Sequence, residues 1–101
     1  MSESVSGAWT ISINAPQGAQ RLVVDLLQQN GSVTGSARAM GNTVEITEGT
    51  FGYGRLTFGV RVSRPVPMRL RFDVMVDGDE LSGHVVAGAF GKQPVTGGRK
   101  L

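Results

Sequence analysis

The sequence predicts an all-β chain, an eight-stranded antiparallel up-and-down β-barrel. Three observations carry this expectation. Apolar and polar residues alternate over short runs, as in strands with one buried face. Turn signals such as Asn30-Gly31 and Asp77-Gly78-Asp79 separate those runs. No stretch sustains the three- and four-residue apolar spacing of an amphipathic helix.

The elements follow in order. The first strand is expected at Ala8–Asn14, with Trp9, Ile11 and Ile13 on one face. The second is Gln20–Gln29, with Leu22, Val24 and Leu26 aligned. The third is Ser32–Ala39, carrying Val33, Gly35 and Ala37. The fourth is Thr43–Thr50, with Val44 and Ile46 inward. The fifth, Arg55–Ser63, alternates most cleanly, with Leu56, Phe58, Val60 and Val62 set against Arg55, Thr57, Gly59 and Arg61. The sixth is Pro67–Val76, with Met68, Leu70, Phe72 and Val74 inward. The seventh is Glu80–Ala89 and the eighth Gln93–Lys100. Eight hairpin-linked strands with one apolar face bury it best by closing into a barrel, which also removes both edges. A flattened sandwich is the nearest alternative.

Size and composition fit this. The chain has 101 residues, enough for one domain, with residues 1–6 expected as a flexible N-terminus. The absence of cysteine excludes disulfides and thiolate metal sites, and a single histidine argues against a zinc centre. No cofactor is expected. The formal charge is +2 and the arginines are scattered, which argues against a nucleic-acid partner. Met1-Ser2-Glu3-Ser4 shows neither a basic nor an apolar leader segment, so a soluble, cytoplasmic chain is expected. No run approaches the ~18 apolar residues of a membrane helix, so no membrane partner is expected.

An internal repeat runs through the chain. Leu22–Ala39 aligns without gaps on Leu70–Ala87, with Leu22/Leu70, Asp25/Asp73, Gly35/Gly83 and Ala39/Ala87 identical.

Three segments carry a family resemblance: "GAWTISINAPQGAQ" at the start, "GSVTG" around Val33, and "GDELSGHVVAGAFGKQPVTGGRK" near the end. Together they resemble a small β-barrel module of the calycin type, similar to lipocalin-like domains appended to some bacterial amidohydrolases. Gly7-x-Trp9 also resembles the Gly-x-Trp opening of lipocalins and avidins. The resemblance implies a calycin- or avidin-like barrel and no catalytic motif. The chain is short for a lipocalin and lacks the C-terminal helix.

Candidate chemistry begins at His84. With Gly78-Asp79 as the turn, Asp73 faces His84 directly; with Asp77-Gly78 the two are diagonal. Either way they share a face, and a carboxylate beside a histidine is a candidate acid/base unit. Phe72, Val74, Leu81 and Val85 take the other face, so Asp73 and His84 point outward. Glu45 and Glu48 are expected on opposite faces and form no pair. Val23, Leu27, Met75, Val86 and Phe90 also point outward; if strands two, six and seven meet, they form a patch suited to a homodimer.

The interior offers the other candidate. Gly35, Ala37, Gly83 and Ala87 are small and could leave a void. The tight turns and both termini should close one end. Met40, Met68, Phe90 and Arg64 lie toward the other. With Trp9, Phe58 and Phe72 they form the expected ligand-binding set, suited to a small hydrophobic molecule with a polar group. The expected function is therefore a ligand-binding barrel. The alternatives are a barrel cyclase or isomerase that shapes an apolar substrate by confinement, or a structural interaction module.

Overall fold

The computed structural model describes residues 5–15, 18–39, 42–62, 68–88 and 91–99. Eight strands follow one another: β1 (Gly7–Ala15), β2 (Gly18–Gln29), β3 (Ser32–Ala39), β4 (Asn42–Gly52), β5 (Arg55–Val62), β6 (Met68–Asp77), β7 (Glu80–Val86) and β8 (Lys92–Arg99). Each pairs antiparallel with the next, and β8 returns to β1 to close an up-and-down barrel. This closed eight-stranded barrel is consistent with a calycin-like fold.

The inner face is the apolar face of every strand. Trp9, Phe58, Phe72, Ile11, Leu56 and Val24 are fully buried within one continuous core. The Phe58 and Phe72 rings stack with centroids 4.8 Å apart and planes at 13°. Their cross-strand register, Phe58 opposite Phe72, makes that stack. Val5, Val76 and Val95 join the core beyond the strand positions anticipated above.

Small inner residues do not leave a void where glycine is concerned. A Cβ built on Gly83 would lie 2.2 Å from the Asp73 carbonyl oxygen, and one on Gly35 would lie 1.8 Å from that of Asp25. These glycines sit where one backbone presses on its neighbour. The repeat thereby acquires a physical meaning, because Asp25/Gly35 and Asp73/Gly83 make the same close approach in two hairpins. Gly49 and Gly97 stand at the same offset and meet the carbonyls of Val33 and Thr10. Gly49 presses on β3 but Gly97 on β1, so the likeness of the two halves is carried by the Asp25/Gly35 and Asp73/Gly83 hairpins.

One strand breaks its alternation. The β4 register shifts by one residue against both β3 and β5, between Thr47 and Thr50 on the β5 side. Glu48 adopts a left-handed φ of 53° in this bulge. Val44 and Ile46 point inward before it and Phe51 after it, so Glu45 and Glu48 both end exposed on the outer wall. The expectation of opposite faces is corrected, because the extra residue reverses the phase.

The end carrying the tight turns is sealed. Phe51 N–H donates to Gly31 O, Val76 N–H to Gly54 O, and Arg99 N–H to Asp79 O, so each turn is tied to the next strand. Val5 tucks beneath Trp9, whose indole N–H donates to Val5 O at 2.9 Å. Val5 N–H donates to Gln28 Oε1, and Gln28 N–H donates to Ser6 Oγ, both at 2.9 Å. Arg99 lies over the Trp9 ring at 4.5 Å and donates to Ser6 O at 2.8 Å and Asp79 Oδ1 at 2.9 Å. Residues 5 and 6 are therefore pinned, whereas the rest of the segment expected to be flexible, residues 1–4, lies outside the described residues.

The outward apolar patch does not form. Around the closed barrel β2 lies opposite β6, so Leu27 and Met75 occupy opposite walls. Phe90 lies outside the described residues.

Candidate functional site

Two regions collect the candidate residues: the barrel end opposite the Trp9 seal and the outer wall of β4–β7.

At the end opposite the Trp9 seal, Ile13, Val44 and Leu70 point inward and pack on the core, yet stay only part-buried. Each lies near the strand end opposite the Trp9 seal. Below them the stacked Phe58 and Phe72 form a floor. Trp9 lies at the sealed end, enclosed by Val5 and Arg99, and so belongs to the seal. Of the remaining expected lining residues, Met40, Arg64 and Phe90 lie outside the described residues, as does the side chain of Met68, which opens β6. The residues that sequence reasoning passed over here are Ile13, Val44 and Leu70. Their inward direction was legible; their incomplete burial depends on how the strands tilt and end.

On the outer wall the structure selects one of the two registers the sequence allowed. Gly78-Asp79 is the two-residue turn, and Asp73 stands directly opposite His84. The row continues through Thr57 to Thr50, whose hydroxyl oxygens lie 2.7 Å apart. Yet Asp73 is engaged elsewhere. Arg55 is its diagonal neighbour across β5–β6, and its Nε donates to Asp73 Oδ1 at 2.8 Å while its Nη2 donates to Oδ2. This forked pair holds the Asp73 carboxyl below the usual carboxylate range. The Arg55 hydrogen bonds are the main cause; partial desolvation opposes them, and the charges of Arg55, His84 and Arg71 assist. No hydrogen bond joins Asp73 to His84. The two residues are neighbours on the wall without forming an acid/base dyad.

A second pair lies alongside. Arg71 Nη1 is 3.5 Å from Glu48 Oε1. Gly59, which has no side chain, stands between Thr47 and Arg71 in the cross-strand row, so Glu48 can reach across β5. Two surface cavities open here. One of ≈ 230 Å³ is lined by Arg55, Thr57, Arg71, Asp73, His84 and neighbours, and the other, of ≈ 480 Å³, by Thr50, Phe51, Arg55, Thr57 and Arg71. Arg55, Arg71 and Thr57 were not singled out by sequence. The connection between β5 and β6 is no two-residue hairpin, so their register, and with it the Arg55–Asp73 diagonal, could not be counted off.

Among the described residues no cluster of three metal-ligating side chains occurs, and no helix is long and apolar enough to cross a membrane. Compared with protein-family models, curated proteins and solved structures, the chain matches none.

Proposed function

We propose that the protein binds a small apolar molecule at the barrel end opposite the Trp9 seal. The observation that carries this reading is the asymmetry between the two ends. One is stopped by Val5, Trp9 and Arg99. At the other, three inward-facing side chains, Ile13, Val44 and Leu70, remain part-exposed above the stacked rings, against Phe51 alone at the stopped end. Part-exposed apolar side chains over a packed base would let a ligand lose water there without unfolding anything. The resemblance to calycin modules, including those appended to bacterial amidohydrolases, agrees with the same reading. Binding requires no catalytic group, so the Asp73–Arg55 pairing costs it nothing.

The test is a titration with the apolar fluorophore N-phenyl-1-naphthylamine, read by its emission and by energy transfer from Trp9, the sole tryptophan. Saturable one-site binding is expected. Leu70→Gln should weaken it about tenfold, the worth of one buried leucine contact, and Ile13→Thr should weaken it less. Met75→Gln, on the outer wall, should leave it unchanged. Absence of saturation, or equal loss in all three variants, overturns the proposal.

A further inference from the structure

The outer wall of β5 and β6 holds four guanidiniums: Arg55, Arg61, Arg69 and Arg71. Among the described residues two carboxylates answer them, Asp73 and Glu48. Arg61 and Arg69 are direct cross-strand partners, both exposed, and neither has an ion pair among the described residues. Like charges placed opposite one another repel, so this arrangement is unfavourable unless something negative sits against it.

Below that pair the wall is shaped. Arg55 is fixed by Asp73 through Nε and Nη2, which leaves the protons of Nη1 unused. Arg71 is held at longer range by Glu48, whose carboxylate reaches it because the β4 bulge turned that residue outward. A left-handed, non-glycine residue costs about 1 kcal/mol or more, and bulges of this kind commonly re-aim a side chain. Thr57 lies in the row between the two arginines. Its hydroxyl and that of Thr50 share one hydrogen bond, so one of the two protons is free to point outward. Arg55, Thr57 and Arg71 line both surface cavities.

We infer that this wall is an oxyanion-binding site. A single phosphate, sulfate or carboxylate group sits between the Arg55 and Arg71 guanidiniums, with the threonine hydroxyls as further donors. Arg61 and Arg69 supply the field that draws it in. The carboxylates of Asp73 and Glu48 serve to orient the forks rather than to neutralise the wall. The site is separate from the barrel end opposite the Trp9 seal, and neither proposal depends on the other.

The experiment is an amide chemical-shift titration of the full chain with sodium phosphate, sodium sulfate and sodium acetate in turn, at constant ionic strength maintained with sodium chloride. The three arms distinguish the oxyanion classes. Saturable shifts confined to Thr57, Gly59, Arg71 and their neighbours are expected for at least one anion. Arg71→Gln should weaken that binding about tenfold or more, as removal of a charged hydrogen-bond donor does. Arg71→Lys keeps the charge without the fork and should fall between the two. Arg61→Gln should weaken it two- to threefold, by lowering the field alone. Shifts that spread over the whole surface and follow chloride, or Arg71→Gln and Arg71→Lys variants that bind like the parent, overturn the inference.

Discussion

Asp73 shows how one side chain's role is decided by its neighbours. Its cross-strand partner is the histidine, but its hydrogen bonds go to Arg55 on the diagonal. An arginine fork matches both carboxylate oxygens, which an imidazole cannot do. The pairing also fixes a pH dependence. Because the folded-state pKa of Asp73 is depressed, the stability it contributes is fully present above its unfolded value, about 3.9, and is lost as pH falls through the folded value. Asp73→Asn should therefore lower the thermal midpoint at neutral pH, and the gap from the parent should close under acid. Thermal melts of both proteins from pH 7 down to pH 2 measure this; a gap that stays constant contradicts it.

At the scale of elements, turns and bulges carry the departures from regularity. The β4–β5 hairpin turns through Tyr53-Gly54, both with positive φ, at 54° and 79°. That is the backbone of a type I′ turn, which favours asparagine first and glycine second. Tyr53 is fully exposed, so nothing in its surroundings offsets the left-handed conformation. Tyr53→Asn should raise stability by about 1 kcal/mol, or roughly 4–8 °C in Tm for a domain of this size. Calorimetry at one protein concentration checks it; a fall in Tm would mean that Tyr53 makes a contact worth more than the strain.

The strands themselves were legible because alternation is a local property. Leu56, Phe58 and Val60 against Arg55, Thr57 and Arg61 define a β5 that needs no tertiary information. The same rule failed at Glu48. A bulge adds one residue, and alternation counted from Val44 then points the wrong way. Gly49 was the available signal, since a glycine inside a strand often marks such a site. A Cβ there would lie 2.2 Å from the Val33 carbonyl oxygen, a contact set by the bulged β3–β4 pairing.

For the whole molecule, closure governs. An even number of antiparallel strands puts the start of β1 and the end of β8 at one end of the barrel, their pairing closes the wall, and Val5 seals that end. Val5 binds the backbone to Gln28 of β2 and supports Trp9, while Arg99 of β8 holds Ser6. These contacts tie the first and last strands together. Val5→Ala should cost about 2 kcal/mol through the lost methyl groups and the space left under Trp9. Urea unfolding followed by Trp9 fluorescence measures this; an unchanged midpoint would mean that the seal is dispensable.

The sequence by itself determined the all-β class, the number of strands, the inward face of the strands up to the β4 bulge, and that Asp73 and His84 share a face, while their direct register was one of two it allowed. Those depend on the two-residue period of a strand and on short turns, both written in contiguous residues. Only the tertiary structure decided that β2 and β6 lie on opposite walls, that Arg55 claims Asp73, that Glu48 turns out to Arg71, and that Val5 closes one end. Each of these joins residues across connections or around the closed ring, where side-chain reach and strand shear set the partners and local pattern carries no record of them.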